Sequence, residues 1–247
     1  MSLFSYEQVK GMNPGEFRVY NFVVSHLGTA HGMNIRQLAG AVGVSTTTVL
    51  RFCEKVGCSG YTELKYRMKQ AAGTQGGHGA YDAAPAAQFI SNSAKDPAFA
   101  EKIAQAAGIF ADAGCIILYG DGASGMLARY GAYLFGSAGK AAFPAEGGYG
   151  AACPEGEHKT AVLILSSQGD SETVISRMER YKRAGAALVS ITNTSQCPAA
   201  WASEINFPCY MPQICRDIGD GQTELASQVP AVYLLEKLAA ELQGFLK

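Results

Sequence analysis

Two short runs in the second half of the chain combine glycine with hydroxyl side chains in a way that suits a bound anion. Residues 120–125 read GDGASG, and residues 166–171 read SSQGDS. Glycine lets the backbone approach an anion closely, and a helix that starts just afterwards offers unpaired N–H groups. Together the runs could surround one compact phosphate with donors from four serines: Ser124, Ser166, Ser167 and Ser171.

The first run by itself also fits a different ligand. The pattern GxGxxG is the fingerprint of a dinucleotide-binding turn, and Glu146 lies about where that fingerprint places its ribose-binding acid. A dinucleotide needs a long groove and no second serine loop, so the second run favours a single phosphoryl group. NAD binding stays an alternative, as does a purely structural role in which the serines, Ser171 especially, cap helices.

Both runs follow predicted β-strands. Short apolar segments at 115–119, 140–143, 161–165, 186–191 and 205–207 alternate with helical patterns around 124–137, 171–184 and 222–243. This alternation predicts an α/β domain whose open parallel sheet is buried on both faces. Ligands of such sheets collect outside the carboxyl ends of the strands, which is where both runs lie.

The pattern of the N-terminal part predicts an all-α domain that contains three short helices. Apolar residues at helical spacing indicate a helix from Pro14 to about Leu27, a second over 35–42, and a third that begins after Ser45. Asn34 and Ser45 are good N-caps for the second and third helices, and glycine at position 43 tolerates the sharp turn between them. Two helices joined this tightly form a helix-turn-helix.

The third helix has a polar outer face. Its apolar residues point inward, which turns Thr47, Arg51 and Glu54 outward. In a helix-turn-helix the start of the second helix approaches base edges, and nearby lysines contact phosphates. The residues that we expect to contact DNA are Ser45, Thr46, Thr47, Thr48, Arg51, Lys55 and Lys65. The alternative is that the threonines only form a capped, solvated helix start.

Charge and composition divide the chain in the same way. Residues 1–72 carry eight Lys or Arg and four Asp or Glu, a net charge of +4, and the remainder carries −5. A basic head can attract a polyanion, although an ordinary fluctuation of surface charge is the alternative. Residues 71–80 contain no large apolar side chain and predict a flexible linker. We therefore predict a DNA-binding domain over 1–72, a linker over 73–84 and an α/β domain over 85–247.

Composition excludes several classes of protein. The 247 residues are 48% hydrophobic, and no apolar run approaches the ~18 residues that cross a bilayer, so a soluble chain without membrane contact is predicted. The first ten residues lack a secretory signal, which predicts a cytoplasmic location. Seven dispersed cysteines without a CxxC pair predict reduced thiols. The four histidines lack metal-binding spacing, and we expect neither a metal nor a cofactor.

The N-terminal motif resembles a known family. Residues 42–57, VGVSTTTVLRFCEKVG, and residues 60–65, GYTELK, are similar to the DNA-binding domain of the RpiR family of bacterial sugar-phosphate regulators. The family pattern is roughly GVSxxTVxRFxxxxG followed by G(F/Y)xELK. Thr47 stands where the family more often has a small residue, and Cys58 stands where it commonly has phenylalanine.

The second half resembles a sugar-isomerase (SIS) phosphosugar-binding domain. The resemblance rests on residues 120–128, 166–171 and 183–193. In that family the serine of the first loop and the hydroxyls of the second hold the sugar phosphate. The ligand-binding residues that the resemblance and the loops together predict are Gly122, Ser124, Ser166, Ser167, Gln168 and Ser171. Gln168 replaces the second serine of the SxSG pattern, and its amide can still donate a hydrogen bond.

The combination predicts a one-component transcriptional regulator. Its expected partners are double-stranded DNA and a phosphorylated sugar effector, bound by a homodimer or a dimer of dimers. SIS domains also occur in isomerases, which need a base beside the sugar carbons. Glu146, His158 and Glu224 are possible bases, but no motif places them, so we predict no catalytic residue and no enzyme. The alternatives are a SIS-type isomerase and a dinucleotide-binding Rossmann-like domain fused to a helix-turn-helix.

Overall fold

The computed structural model describes residues 3–74, 83–145, 159–218 and 221–246. The chain divides into two compact units. The first contains Met1–Gln88 and Tyr210–Ser227, and the second contains Phe89–Cys209 and Gln228–Lys247. Within the described residues, no helix has the length and apolar character that a membrane span requires.

The first unit is built mainly from helices, and the three predicted helices are among them. The bounds are α1 Tyr6–Lys10, α2 Pro14–Ser25, α3 Leu27–Ala30, α4 Ile35–Val42, α5 Thr46–Lys55 and α6 Tyr61–Thr74. Helix α7, Ala84–Lys95, begins in the first unit and continues into the second. The predicted first helix is two helices, α2 and α3, because the backbone leaves the helical conformation at His26 (φ −121°). Helix α1 was not predicted.

Local side-chain contacts fix the helix-turn-helix. Asn34 accepts two amide hydrogen bonds, each 3.0 Å long, from the first turn of α4. Ser45 accepts one of 3.1 Å from the amide of Thr48 at the start of α5. Gly43 ends α4 with φ +70°, a conformation that glycine adopts without steric cost. The predicted caps and the predicted turn are therefore confirmed.

The inner face of α5 packs into the core of the first unit. Val49, Phe52 and Cys53 are completely buried, and the ring of Phe4 meets the ring of Phe52 edge-on at 5.5 Å. The same core includes the fully buried side chains of Val19, Val23, Leu38, Leu64 and Met68. Burial of this apolar surface supplies most of the stability of a short three-helix motif.

A β-hairpin belongs to the first unit and corrects the sequence prediction. Strand β6, Gln213–Ile218, pairs antiparallel with β7, Gly221–Ala226. The helix predicted from residue 222 begins only at Val229, as α12. A helix running through Pro230 would bring its ring against the carbonyl of Ala226, whereas proline is well tolerated in a first helical turn.

The second unit is a three-layer α/β fold with a parallel sheet, as predicted. The strand order is β2-β1-β3-β4-β5. Strands are β1 Cys115–Tyr119, β2 Ala142–Pro144, β3 Thr160–Ser166, β4 Ala187–Thr192 and β5 Ile205–Pro208; helices are α8 Pro97–Asp112, α9 Ala123–Ser137, α10 Glu172–Arg183, α11 Pro198–Ala202 and α12 Val229–Phe245. All four strand pairs of this sheet are parallel.

Helices cover both faces of the sheet. On one face, side chains of β1, β3 and β4 pack against α10 and α11 in a single apolar cluster. On the other face, Phe110 of α8 contacts Phe135 of α9 at 5.4 Å. Helix α9 approaches β1 and α12 so closely that a Cβ on Gly131 would lie 2.5 Å from Leu118 and 2.9 Å from Leu235. The three central strands are thereby covered on both faces.

The predicted domain boundaries fall partly on residues that the structure does not describe. Helix α6 continues to Thr74, and α7 begins at Ala84. Most of the predicted linker, residues 75–82, lies outside the described residues. The boundaries at 72 and 85 therefore stay predictions.

Substitution by alanine at two glycines of the helix-turn-helix should change the stability of the first unit in opposite directions. Gly43→Ala should destabilise the first unit by roughly 1–2 kcal/mol, because its φ of +70° strains any residue with a Cβ. Gly40→Ala should stabilise it by about 1 kcal/mol, since position 40 is helical and has open space around it. Urea unfolding followed by circular dichroism measures both. The fluorescence of Trp201, the sole tryptophan, reports the second unit and should not change. Equal stabilities of the two variants would contradict the prediction.

Candidate functional site

The outer face of α5 presents a compact set of exposed side chains. Thr47, Leu50, Arg51, Glu54 and Lys55 are exposed, in agreement with the orientation that the helical periodicity predicted. Leu50 is a large apolar residue that is 43% exposed. Sequence reasoning placed it on the flank of the helix and missed it as a candidate contact.

Two of the predicted DNA contacts are engaged within the first unit. The hydroxyl oxygens of Ser45 and Thr48 lie 3.0 Å apart, and Ser45 also caps the helix. The methyl carbon of Thr48 lies 2.9 Å from the position of a Cβ on Gly15, so the start of α2 packs directly on it. Thr46 is half-buried, which leaves Thr47 as the exposed threonine of the three.

The predicted phosphate-binding lysines have different surroundings. Lys55 is exposed at the end of α5. Its Nζ lies close to Gly11, 3.5 Å from the point where a Cβ would stand if Gly11 were alanine. Lys65 is half-buried, and its Nζ donates a 3.2 Å hydrogen bond to the carbonyl of Gly32. An ammonium has three donors, so Lys65 retains two for another acceptor.

Three side chains that were not predicted from the sequence, Ser59, Glu63 and Arg67, hold the end of α5. The Arg67 guanidinium donates to the carbonyls of Val56 at 3.3 Å and Gly57 at 2.9 Å, and it also pairs with Glu63. Hydrogen bonds from the amide and hydroxyl of Ser59, with Arg67 alongside, lower the pKa of Glu63 to about 2. The only sequence signal is the i, i+4 spacing of Glu63 and Arg67. This group fixes where α5 ends.

In the second unit, the first glycine run forms a very tight turn between β1 and α9. A Cβ on Gly120 would lie 2.6 Å from the backbone of Ser124, so no side chain fits at position 120. Gly122 has φ +57° and occupies the N-cap position without a capping side chain. Ser124 is buried at the start of the helix. The sequence therefore needs both glycines to place Ser124 there.

The turn leaves donors for a ligand. The amides of Ser124 and Gly125 donate to the carbonyl of Asp121 at 3.1 and 3.4 Å. Among the described residues, the amides of Gly122 and Ala123 and the hydroxyl of Ser124 have no acceptor. They lie at the positive end of a fifteen-residue helix.

The second run is shaped by contacts with the adjoining strand end. Ser166 Oγ accepts the amide of Gly169 at 3.1 Å, and the carbonyl of Ser167 accepts the amide of Asn193 at 3.0 Å. These bonds leave the hydroxyl protons of both serines available. Ser171 is exposed at the N-cap of α10 but forms no capping hydrogen bond, which differs from the purely structural alternative.

The buried side chain of Cys197 packs against Gly169 of the second run. Gly169 has φ +69°, and a Cβ there would collide with Cys197 Sγ. The carbonyl of Gly169 also accepts the amide of Ala199 at 2.9 Å. Burial raises the pKa of the Cys197 thiol, which keeps it neutral and unreactive. This packing was not predictable, because the two residues are far apart in the sequence.

The fold brings the two runs together. Strands β1 and β3 are neighbours in the sheet, and Tyr119 at the end of β1 is the register partner of Ile164 in β3. Both runs therefore leave the same edge of the sheet side by side, and each leads into the N-terminus of a long helix. The arrangement can bind a compact anion through amides, hydroxyls and two helix dipoles.

Other candidates from the sequence are not part of this arrangement. Glu146 and His158 lie outside the described residues, and Glu224 lies in β7 of the first unit. Within the described part of the chain, no three His, Cys, Asp or Glu residues could together hold a metal ion. The described cysteines with free thiols are Cys53, Cys58, Cys115, Cys197 and Cys209.

Two family models match the chain. The helix-turn-helix domain of the rpiR family matches residues 6–75, and the SIS domain matches residues 109–212. An uncharacterized HTH-type transcriptional regulator of Caldanaerobacter subterraneus is 25% identical over 215 residues, which cover 81% of this chain and 76% of the relative. The HTH-type transcriptional regulator GlvR of Bacillus subtilis is 33% identical over 58 residues, or 24% of this chain and 23% of GlvR.

Solved structures show the same fold. The Vibrio vulnificus NanR protein complexed with ManNAc-6P has a TM-score of 0.51 and 21% identity, and the alignment covers 95% of this chain and 88% of NanR. The E. coli CFT073 protein c3406 has a TM-score of 0.51 and 19% identity over 65% of this chain and 85% of the other. At these identities the likeness concerns the fold alone.

Alanine at position 169 should disrupt the second run. Gly169→Ala adds the left-handed strain of roughly 1–2 kcal/mol and a clash with Cys197 that costs about 1–3 kcal/mol more. Gly185→Ala is the matched control, because its φ is +79° but no atom lies within 4 Å of the added carbon. Thermal unfolding followed by Trp201 fluorescence compares the two. The prediction fails if both variants lose the same stability.

Proposed function

The chain belongs to the RpiR family of helix-turn-helix transcriptional regulators with a SIS domain, and from this membership we propose that it is a one-component, sugar-phosphate-responsive regulator. It binds double-stranded DNA through the outer face of α5. It binds its effector at the carboxyl ends of β1 and β3. The effector is a small phosphorylated sugar.

One observation carries the ligand part of the proposal. Two helix N-termini meet at adjoining strand ends and offer the amides of Gly122 and Ala123 with the hydroxyls of Ser124 and Ser171. Such a set of donors compensates a phosphate group without any basic side chain. The complex of Vibrio vulnificus NanR with ManNAc-6P supports a phosphosugar as the ligand class.

The residues of the two runs have separate roles in this proposal. Gly122, Ser124 and Ser171 bind the phosphate. Ser166 and Ser167 hold the second run in shape and donate their hydroxyl protons to the ligand. Gln168 is exposed at the tip of that run, where its amide reaches the sugar.

The DNA contacts follow from exposure on α5. Thr47 and Arg51 read base edges in the major groove, and Leu50 packs against a thymine methyl group. Lys55 and Lys65 contact phosphates. The start of α5 lies beside the DNA backbone. It is held there by the cap Ser45 and by the half-buried Thr46 and Thr48.

The protein acts as a sensor in the cytoplasm rather than as an enzyme. Its curated relatives are named as transcriptional regulators, which supports this choice over an isomerase. A homodimer or a dimer of dimers presents two helices to a two-fold related operator. The effector changes DNA affinity only if it binds one arrangement of the dimer more tightly than another.

The DNA half of the proposal predicts a specific loss for Arg51→Ala. A bidentate contact between arginine and guanine is worth about 1–3 kcal/mol, so affinity for the selected operator should fall roughly tenfold to a hundredfold. Affinity for random duplex should fall only by the small factor that the loss of one positive charge causes. Arg18→Ala removes an equal charge from the exposed side of α2 and should weaken both affinities by one small factor. Fluorescence anisotropy at fixed salt concentration measures the affinity of each variant for the operator and for random duplex. If Arg51→Ala leaves the ratio of these two affinities unchanged, Arg51 does not read bases.

The ligand half predicts the effect of Ser124→Ala. Loss of a hydrogen bond to a charged phosphate costs about 1.5–3 kcal/mol, so phosphosugar affinity should fall at least tenfold. Ser137→Ala at the far end of the same helix, where the hydroxyl bonds to the Tyr133 carbonyl, should leave affinity unchanged. Calorimetric titration with a phosphosugar panel, inorganic phosphate and NAD provides the measurement. Binding of NAD without binding of any phosphosugar would favour the dinucleotide alternative.

A further inference from the structure

The first run contains a carboxylate that a simple phosphate site does not need. Asp121 lies between Gly120 and Gly122, and its carbonyl accepts the amides of Ser124 and Gly125. The residue is thus fixed in the turn that offers donors to the ligand, and its side chain is exposed. A carboxylate this close to a phosphate dianion repels it. Asp121 would instead favour a hydrogen-bond donor on the ligand.

A tyrosine holds this carboxylate in one orientation. The hydroxyl of Tyr119 lies 2.9 Å from one carboxylate oxygen of Asp121 and 2.8 Å from the other, and donates to them. Tyr119 is almost completely buried, and the Arg177 guanidinium lies over its ring, 4.7 Å from the centroid. Burial and the neighbouring Asp121 raise the pKa of Tyr119 to about 12, so its hydroxyl remains a donor at neutral pH.

The carboxylate lies on the side of the sheet where the second run begins its helix. The ring of Tyr119 packs in the same apolar cluster as Val174 and Met178 of α10. Asp121, bonded to the Tyr119 hydroxyl, is therefore on the α10 side of the first turn. Ser171 stands at the N-cap of α10. A ligand whose phosphate reaches both runs brings its remaining atoms past this carboxylate.

The hydrogen-bonding capacity of Asp121 defines what it recognises. An ionised carboxylate accepts at about four positions, and Tyr119 supplies a single proton. The remaining positions accept hydrogen bonds from water or from N–H and O–H groups of a ligand, and the dianion of a phosphate ester has no such group. The hydroxyl and amino groups of a sugar have them, and an ammonium adds charge attraction.

We infer that Asp121 is a specificity-determining residue, whose carboxylate accepts a hydrogen bond from the sugar part of the effector and so selects phosphosugars over other phosphates. This inference rests on the proposed sugar-phosphate function. Tyr119 is the positioning residue for that carboxylate. Sugars with a free amino group gain more from the contact than sugars that carry only hydroxyl groups.

The test compares three kinds of probe on the full-length protein. Calorimetric titration with inorganic phosphate, hexose 6-phosphates and 2-amino-2-deoxyhexose 6-phosphates is run on wild type and Asp121→Asn. The asparagine keeps the size of the side chain and an acceptor for Tyr119 but removes the charge. We expect phosphosugar affinity to fall about tenfold, most for the amino sugars, while affinity for inorganic phosphate stays level or rises.

Two further variants separate this role from a general effect of charge or structure. Glu172→Gln removes an exposed acid from the first turn of α10 and should change all affinities by one common factor. Tyr119→Phe should lower the preference for phosphosugar over phosphate about threefold and leave phosphate affinity unchanged, since Asp121 loses its anchor. A structural defect would instead weaken every probe alike.

The outcomes distinguish this inference from the proposed function. If wild type prefers a phosphosugar to inorganic phosphate and Asp121→Asn keeps the full preference, the role of Asp121 is wrong and the proposed function stands. If wild type shows no preference for any phosphosugar over inorganic phosphate, both are overturned.

Discussion

The proposed ligand site depends on one close approach of the backbone. At the end of β1 the chain reverses into α9 so tightly that Gly120 and the backbone of Ser124 leave no room for a side chain. This contact aims the helix N-terminus at the edge of the sheet, buries Ser124 there and fixes Asp121 in the turn. Any side chain at position 120 would open the turn and separate these groups, because protein interiors do not absorb such overlap cheaply.

Charges of both signs lie at this edge of the sheet, so hydrogen bonds would decide which ligand fits. Each helix N-terminus contributes about half a positive charge, so α9 and α10 together would offset about one unit of a phosphate dianion. The Asp121 carboxylate opposes this attraction, and the Arg177 guanidinium over the Tyr119 ring adds to it. A ligand gains from this site mainly through donors that satisfy Asp121 and acceptors that satisfy the two runs, so selectivity is favoured over raw affinity.

Local contacts were predictable from the sequence, and long-range contacts were not. Asn34, Gly43 and Ser45 act on residues within one helical turn, so residue type and spacing sufficed. The parallel strands followed from their apolar runs. The hairpin at β6 and β7 was missed because the helical pattern continued upstream of Pro230, and the proline was not used to place the helix start. The contacts between distant segments had no sequence signal: Gly169 with Cys197, Arg67 with Val56, and Lys65 with Gly32.

Helix α5 is stabilised both by local contacts and by contacts with distant segments of the chain. Three threonines give α5 a weak start by intrinsic propensity, so its stability must come from elsewhere. The Ser45 cap holds the beginning, Arg67 holds the carbonyls at the end, and the inner face is buried. Because all of these contacts lie off the outer face, the exposed Thr47, Leu50 and Arg51 can vary without unfolding the helix. Under the proposed function, DNA contact rather than fold stability would determine which residues stand there.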